Sequence, residues 1–349
     1  MNRFFGIGIS VPKNAPRFSR FQNPICAGQF DLGRLNVIKS GMTAVKPRYR
    51  SVSSWLKETF GEPVRKISLD AGLGCPNRNA AAGLNGCIFC NPRGSGTGAQ
   101  AQGLSISEQV NRGVTFLSAR SKCRKFIAYF QAFTNTYGTP DHLGRLYDEA
   151  LRRPEIVALA VGTRPDCVPD AVLDLLADRA RSHLVWVEYG LQSIHSRTLN
   201  LIRRGHDQNV FLDAVRRTQE RGILTAAHLI LGLPGESVSD MVQTAEAVAA
   251  ARVHGVKLHP LYVIRGSELE HMVRSGDYRA MTEEQALEAT LAVLEVLPPE
   301  TVIHRMTSDP HPQELIEPVW MLDKAGVRKR LLRAMEERNL VQGSRFPQS

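Results

Sequence analysis

Three cysteines stand close together in the sequence and have the side chains to bind a metal or an iron–sulfur cluster. Cys87 and Cys90 form a C-x2-C pair, and eleven residues rich in Asn, Ala and Gly separate them from Cys75. Thiolates at such spacing are common ligands of zinc and of iron. Three thiolates are one fewer than a closed zinc site or a fully ligated four-iron cluster needs. The stretch therefore predicts a fourth ligand from elsewhere or a metal position that is left open.

Three interpretations of these cysteines compete: unrelated structural thiols, a structural zinc site, and an iron–sulfur cluster with one open iron. No fourth Cys and no His lies in residues 65–100, and the downstream candidates Cys123 and His142 fall in other predicted elements. This favours a cluster whose open iron receives a substrate or cofactor, as catalytic zinc keeps one position open. The remaining cysteines fit no motif and are interpreted as ordinary thiols: Cys26, Cys123 and Cys167.

Six short apolar runs alternate with amphipathic stretches from about residue 64 onward. Because these runs are apolar on both faces, they are typical of buried strands in a parallel sheet covered by helices. Six strand–helix units over about 230 residues favour an α/β fold that forms a partial (β/α)6 parallel barrel. The predicted strands are VRKISLD (64–70), KFIAYFQ (125–131), IVALAVG (156–162), LVWVEYG (184–190), ILTAAHLIL (223–231) and GVKLHPLYV (255–263).

Helical patterns fill the connections between the predicted strands. One helix is predicted to begin after Ser107 as N-cap, and another to end at Gly222. The barrel is predicted to span residues 49–300, and residues 301–349 are predicted to form a C-terminal helical extension. Active sites of parallel α/β folds lie on the loops that follow the strands, so the cysteine loop is expected at the mouth of the barrel.

The net charge of +10 is concentrated near the N-terminus. Residues 1–50 hold nine Lys or Arg and one acid, so they carry +8 and the remaining 299 residues carry +2. A nucleic-acid substrate is therefore compatible with the chain but not supported by the charge of the core. Residues 1–48, with four prolines and no periodicity, are predicted to be a disordered basic extension. We expect residues 1–41 to be dispensable, with Met42 as the physiological start.

The composition also bears on location. No stretch approaches twenty consecutive apolar residues, so no transmembrane helix and no membrane partner are expected. Six cysteines in 349 residues do not form a disulfide scaffold, and the N-terminus lacks a secretory signal pattern. We therefore expect reduced thiols and a cytoplasmic protein.

Several motifs together resemble the radical S-adenosylmethionine (SAM) superfamily. The spacing C-x11-C-x2-C departs from the usual C-x3-C-x2-C of that superfamily and resembles the group related to the elongator catalytic subunit. Within that group, the likeness is to stand-alone bacterial radical SAM proteins, and it covers about residues 50–325. The motifs that carry it are CPNRNAAAGLNGCIFC, YFQAFTNTYG, VGTRPDCVP, VWVEYGLQSIHSRTLNLIRRGHD, AHLILGLPGES and GVKLHPLYV.

The resemblance implies a [4Fe-4S] cluster on Cys75, Cys87 and Cys90, with SAM bound to the open iron. The reduced cluster would cleave SAM to a 5′-deoxyadenosyl radical that abstracts hydrogen from a substrate. An electron donor such as flavodoxin or ferredoxin is implied as a partner. The elongator relatives carry an acyltransferase domain, and about 50 residues after the barrel are too few for one, so tRNA acylation is not expected.

Glu188 is a candidate SAM contact from the strand pattern itself. Leu184, Trp186 and Glu188 are spaced two residues apart, so they share one face of a predicted buried strand. A carboxylate in that position is costly unless it has a partner. A ribose hydroxyl or an ammonium group of the cofactor would serve as that partner, and so would a buried cation of the protein.

The other predicted SAM contacts rest on the resemblance. Related proteins end their second strand in a Gly-Gly-Glu-like motif that holds the methionine amino group, whereas YFQAFTNTY has no acid. Neutral acceptors would replace the acid here, and an ordinary polar strand end is the alternative. The implied contacts are Gln131, Thr134 and Asn135 for the amino group, Gln192 in EYGLQS, Arg203 for the SAM carboxylate, Ile230, Gly232 and Glu236 in the adenine-side motif, and Leu261 after the sixth strand.

A zinc-stabilised RNA-binding module without turnover is the alternative from another functional class. Its main support would be the basic C-terminal helix around residues 324–338. Glu336 and Glu337 interrupt that basic run, which favours a solvated helix face over an RNA-binding one. Iron and sulfide content of anaerobically purified protein would separate the two classes.

Overall fold

A computed structural model describes residues 47–79, 84–90 and 98–347, so the predicted basic extension lies almost entirely outside the described residues. The strands are β1 (Val64–Leu69), β2 (Arg78–Asn79), β3 (Leu84–Asn85), β4 (Lys125–Phe130), β5 (Ile156–Thr163), β6 (Leu184–Gln192), β7 (Leu224–Leu231), β8 (Gly255–Pro260), β9 (Val263–Ile264), β10 (Val302–Arg305) and β11 (Leu315–Glu317). The helices are α1 (Val52–Phe60), α2 (Ile106–Arg120), α3 (Pro140–Leu151), α4 (Asp170–Arg179), α5 (Ser196–Leu201), α6 (Gln208–Glu220), α7 (Val238–Ala250), α8 (Glu268–Ser275), α9 (Glu283–Val296) and α10 (Lys324–Glu337).

Seven parallel strands form the main sheet in the order β1-β4-β5-β6-β7-β8-β10. All six predicted strands are present within one or two residues of their predicted ends, except that the last stops at Pro260. The predicted partial barrel is confirmed, with one strand more than expected. The extra strand, β10, lies within the region predicted to be a helical extension. Its four residues are too few to produce a recognisable pattern in the sequence.

The sheet curls into a half-barrel, as contacts across its concave face show. The Tyr129 hydroxyl on β4 lies 2.8 Å from Lys257 Nζ on β8, although three strands separate these two strands. In a flat sheet the backbones of β4 and β8 would lie about 19 Å apart, because neighbouring strands lie about 4.8 Å apart. The strands must therefore bend around a shared interior.

Helix α1 covers the amino-terminal end of the barrel. Ser51 caps its first turn, and Gly61, with φ of 75°, ends it. Trp55 on this helix packs against Trp186 of β6, with ring centroids 6.3 Å apart. The chain just before α1 also binds the edge strand β10, because the Ile303 N–H donates to the Arg50 carbonyl (2.8 Å). The amino-terminal end of the barrel is thus filled by apolar side chains, and the barrel is open at the carboxyl ends of its strands.

Helix α2 begins two residues earlier than predicted. Its N-cap is Ser105, whose side chain accepts from the Glu108 N–H while the Glu108 carboxylate accepts from the Ser105 N–H. The predicted cap, Ser107, instead lies in the first turn, and its N–H donates to Glu149 on α3. The reciprocal Ser-x-x-Glu pairing satisfies two free N–H groups at once, which explains why the earlier serine is preferred.

None of the described helices is both long enough and apolar enough to cross a membrane.

Candidate active site

The three candidate ligand cysteines lie together at the mouth of the barrel. Cys75 follows the carboxyl end of β1, and one turn carries the other two, closed by a hydrogen bond from the Cys90 N–H to the Cys87 carbonyl (3.0 Å). None of the three thiols forms a disulfide. Burial raises the pKa of Cys90, and the charges of Cys87 and Cys75 add to that rise, so the three sulfurs lie within electrostatic reach of one another.

An apolar cluster holds the Cys87–Cys90 turn against the sheet. Ile88, between the two cysteines, is buried with Ile230 at the end of β7 and Leu261 after β8. Its N–H donates to the Ile202 carbonyl (3.3 Å), and its own carbonyl accepts from the Leu269 N–H (2.9 Å). Two of the predicted SAM contacts, Ile230 and Leu261, therefore position the cysteine turn in this structure.

Polar and cationic side chains surround the cysteine sulfurs. Asn77 Nδ2 lies 3.5 Å from Cys87 Sγ, and the Arg204 guanidinium lies 3.7 Å from the same sulfur. The Arg78 guanidinium lowers the pKa of Cys90 and so opposes the effect of burial. Donors and positive charge of this kind stabilise anionic thiolates, and they tune the reduction potential of a thiolate-bound cluster.

The donor set fits an iron–sulfur cluster. Across the described part of the chain, no three side chains of His, Cys, Asp or Glu converge closely enough to share a single metal ion. A zinc site needs such convergence, since each ligand lies about 2.0–2.3 Å from one ion. In a four-iron cluster each thiolate binds a different iron, so cysteines on neighbouring turns that form no disulfide are a suitable arrangement.

The loop after β4 contacts the cysteine loop through its backbone. The Thr134 N–H donates to the Gly74 carbonyl (3.2 Å), next to Cys75, and Asn135 binds the Gly162 carbonyl through both its N–H and its Nδ2. The side-chain oxygens Thr134 Oγ1 and Asn135 Oδ1 are buried and have no hydrogen-bond partner. Gln131 is half-buried, and its Oε1 accepts from the Ser68 hydroxyl (3.4 Å). Two of the three predicted amino-group contacts thus have free acceptors beside the cysteine loop.

Left-handed backbone conformations concentrate around the same mouth. Phe133, Gln192 and Arg203 have φ values of 57°, 74° and 54°, although none is glycine. Such conformations cost about 1–3 kcal/mol each for a non-glycine residue and tend to persist at functional sites. Gln192 also interrupts the regular pairing of β6 with β7, and its Oε1 is buried without a partner. Gln192 therefore presents a third free acceptor at the carboxyl end of the sheet.

The side chain of Arg203 does not face the cysteines. It lies at the surface, half exposed, and its guanidinium pairs with Glu268 (3.0 Å). The neighbouring Arg204 is the buried arginine, and it donates to the Gly190 carbonyl at 2.6 and 3.1 Å while facing Cys87. The left-handed turn at Arg203 explains this orientation, because it directs two consecutive side chains to different sides of the chain.

The fifth-strand motif has a clear structural role. Gly232 has φ of 81°, and a Cβ there would overlap the Met281 side chain, so the position requires glycine. Glu236 accepts a hydrogen bond from the Ser193 hydroxyl, and burial raises its pKa. These contacts join the loop after β7 to the loop after β6. The Glu236 carboxylate is thereby held by the protein itself.

Glu188 points into the barrel, as its strand pattern predicts, and its partner is a cation of the protein. Its Oε1 accepts from Lys257 Nζ (2.6 Å) and from the Tyr129 hydroxyl (2.9 Å). Burial alone would raise the pKa of Glu188, but the charges of Lys257 and Lys66 hold it far below its usual range. The second oxygen, Oε2, has no partner. Of the two alternatives for Glu188, the structure shows the buried ion pair.

Comparison with known proteins identifies the family. The model described as the radical SAM superfamily matches residues 72–248, and the radical SAM C-terminal domain matches residues 253–337. YtqA of Bacillus subtilis is 36% identical over 299 residues, covering 86% of this chain and 93% of its own. YhcC of Escherichia coli K12 is 37% identical over 290 residues, covering 83% and 92%. The chain belongs to the radical SAM superfamily.

The relation to the elongator group is confirmed as well. A tRNA uridine(34) acetyltransferase of Methanocaldococcus infernus is 28% identical over 195 residues, covering 52% of this chain and 36% of that protein. The solved structure of the Elp3 protein from the same organism superposes with a TM-score of 0.63 at 19% identity. That match covers 80% of this chain and 64% of the solved one, and it shows the shared fold.

Some residues around the three cysteines were not predicted from the sequence. Asn77 and Arg204 contact Cys87, and Ile88 holds the cysteine turn, yet the sequence predicted none of these contacts. The C-I-F-C segment offered a signal for Ile88, because burial of an apolar side chain is favourable, although Phe89 in the same segment is only partly buried. Nothing in the Arg203–Arg204 pair shows which arginine is buried, since that depends on one backbone torsion.

Proposed function

We propose that this protein is a radical SAM enzyme that binds a [4Fe-4S] cluster through Cys75, Cys87 and Cys90. When bound, the cluster and SAM supply a 5′-deoxyadenosyl radical that removes a hydrogen atom from the substrate. The observation that carries the proposal is the set of three cysteines, none in a disulfide, on adjacent turns at the barrel mouth, next to buried oxygen atoms without partners. An external one-electron donor of the flavodoxin or ferredoxin type and a cytoplasmic location accompany the proposal.

The chain's own residues would hold the cluster and balance its charge. Three thiolates make the cluster anionic, and reduction adds one more negative charge. Arg204 and Arg78, beside Cys87 and Cys90, compensate for that charge and favour the reduced state. The apolar contacts of Ile88 keep water away from one side of the turn.

The free acceptors at the mouth are suited to the amino group of SAM. An amino group whose nitrogen binds the open iron would keep two N–H donors. Thr134 Oγ1, Asn135 Oδ1 and Gln192 Oε1 are buried acceptors without a partner, and each such group costs free energy until it is satisfied. Binding of SAM would satisfy them. These neutral acceptors would then replace the carboxylate that related proteins place after the second strand.

The first test is the identity of the cluster ligands. Anaerobic reconstitution should give a brown protein with about four irons per chain. Substitution of Cys75, Cys87 or Cys90 by Ala should remove most of that iron, because each thiolate binds one iron. Stoichiometric zinc with little iron after anaerobic purification would contradict the proposal.

Cys167→Ala is the matched control. The charge of Cys75 contributes to raising the pKa of Cys167 to about 12, after burial and Asp166, so Cys167 lies near the three ligands. The proposal requires that this variant keep its iron and its SAM cleavage. If Cys167→Ala lost iron as the other three do, the cluster would have four protein ligands and no open iron for SAM.

The second test concerns SAM itself. The wild-type protein with a strong reductant should release 5′-deoxyadenosine and methionine. Gln192→Ala and Asn135→Ala should each weaken SAM binding by about ten-fold with unchanged iron content, because each removes one hydrogen bond to a charged group. Arg203→Gln is the control on the exposed arginine and tests its predicted contact with the SAM carboxylate. Loss of SAM affinity in Arg203→Gln would show that Arg203 contacts the SAM carboxylate.

A further inference from the structure

The interior of the barrel carries positive charge that the proposed chemistry does not use. Lys66 on β1, Lys257 on β8 and Arg305 on β10 face this interior, and we call them the lumen cations. The ammonium group of Lys66 lies 5.0 Å from the centre of the Tyr129 ring and 5.5 Å from that of Trp186. Arg305 donates to His259 Nδ1 (2.6 Å). Three strands on different parts of the sheet thus direct cations to one space.

The charges in this space do not balance. Glu188 pairs with Lys257. Within the described residues, neither Lys66 nor Arg305 has a carboxylate partner. Burial lowers the pKa of Lys66, the charge of Glu188 raises it, and the charge of Arg305 lowers it, so these three groups lie within electrostatic reach of one another. Three cations against one carboxylate leave an excess of two positive charges in the lumen.

Unpartnered polar atoms line the same space. Both ring nitrogens of His304, Nε2 of His228 and Nε of Arg305 are buried and have no hydrogen-bond partner. Burial lowers the pKa of His228, His259 and His304 well below the usual range, so these rings are neutral and each offers one donor. The side chains that carry these atoms are half-buried and lie on the concave side of the half-barrel, where His304 packs against Trp186 and Arg305 contacts His259.

Buried charge without a counter-charge is unfavourable, and buried polar groups normally have partners. An anionic ligand would meet both requirements. We infer that the lumen binds a doubly charged anionic group of the substrate, a phosphate monoester or a pair of carboxylates, through Lys66, Arg305 and the Lys257–Glu188 pair. The inference rests on the proposed function only in identifying this ligand as the substrate of the radical reaction.

The depth of the lumen cations separates them from SAM. Lys66 lies three residues before the end of β1, and Cys75 comes six residues after that end. At about 3.3 Å per residue, Lys66 is about 10 Å below the carboxyl edge of the sheet. A ligand held there lies below a cofactor bound at the cysteine loop.

Calorimetric titration of the full-length, cluster-loaded protein tests the inference. Inorganic phosphate and malonate are titrated separately at pH 7, and at least one should bind once per chain. Phosphate binding identifies a phosphate monoester as the ligand group, and malonate binding identifies a dicarboxylate. Lys66→Met and Arg305→Gln should each weaken that binding about ten- to one-hundred-fold, the usual effect of losing a hydrogen bond to a charged group. Absence of saturable binding of both anions would overturn the inference.

Arg65→Gln is the matched control, because Arg65 precedes Lys66 on the same strand but is exposed on its other face. It should bind the anion as the wild type does. Thermal unfolding without anion gives a second readout. Arg305→Gln should unfold no earlier than the wild type, since it removes a charge that has no carboxylate partner among the described residues. Earlier unfolding with unchanged anion affinity would assign Arg305 a structural role and refute the site.

SAM and the anion should bind together. If SAM displaced phosphate or malonate stoichiometrically, the lumen cations would hold the SAM carboxylate, and the inference would be wrong. Release of 5′-deoxyadenosine is measured in the same samples. SAM cleavage without anion binding would refute the lumen site alone. Anion binding without SAM cleavage would refute the proposed function and leave an anion site in the barrel.

Discussion

At the scale of single residues, the buried pair of Glu188 and Lys257 shows how two charges depend on each other. Both side chains are less than a tenth exposed, and the Tyr129 hydroxyl contacts both of them. Burial lowers the pKa of Lys257 to about 8, whereas Lys257 in turn lowers the pKa of Glu188. Removing one member would leave the other buried without a counter-charge, which is more costly than removing both.

We expect Lys257→Met to destabilise the protein by about 3–5 kcal/mol at pH 7, where Lys257 is mostly protonated, since it leaves the Glu188 carboxylate uncompensated. The double variant Glu188→Gln/Lys257→Met should recover more than half of that loss. Urea denaturation of the single and double variants measures both values. Additive losses in the double-mutant cycle would show that the pair is not coupled.

At the scale of elements, helix termini and short apolar contacts determine where the mouth loops lie. The capping box of Ser105 and Glu108 fixes the start of α2, and the buried Gln109 on this helix donates to the Asp70 carbonyl after β1 (2.8 Å). The position of the loop that leads to Cys75 therefore depends on where α2 begins. Local hydrogen bonds at a helix end are thus linked to the geometry of the cysteine site.

Ser105→Ala should lower the free energy of unfolding by about 1 kcal/mol, because it removes a capping hydrogen bond. Ser107→Ala, two residues later, should change the free energy of unfolding by less than about 0.5 kcal/mol. Urea denaturation of the two variants gives the comparison. An equal loss in Ser107→Ala would mean that the helix begins at the later serine after all.

At the scale of the whole molecule, the barrel gathers ionisable side chains from six of its seven main strands. The charged and titratable groups that face one another are Lys66, Tyr129, Glu188, His228, Lys257, His259, His304 and Arg305. Burial keeps the three histidines neutral in the folded state, whereas in the unfolded chain they titrate near pH 6.5. The unfolded chain therefore binds more protons than the folded one below that pH.

Stability should accordingly fall as the pH is lowered below about 6.5, by up to about 1.4 kcal/mol per pH unit for each histidine that stays neutral. His304→Phe should reduce the pH dependence of stability by the amount that corresponds to close to one bound proton. His304 packs its ring against Trp186 and has no hydrogen-bond partner, so the substitution removes little else. Urea denaturation at pH 7 and pH 5 measures the slope. The exposed His142→Phe is the control and should leave it unchanged.

The sequence alone determined six of the seven main strands, the grouping of the three cysteines in one loop, and the family. Strands buried on both faces produce unbroken apolar runs, and ligand spacing within one loop is a local property that needs no knowledge of packing. The alternation of Leu184, Trp186 and Glu188 likewise placed the carboxylate inside the barrel. Only the tertiary structure decided which cation meets Glu188, which arginine faces Cys87, and that Lys66 and Arg305 share one space. Those contacts join residues far apart in the chain and depend on how strongly the sheet curls, and Arg203 and Arg204 differ by one left-handed backbone torsion. Neither the curl nor that torsion leaves a local pattern in the sequence.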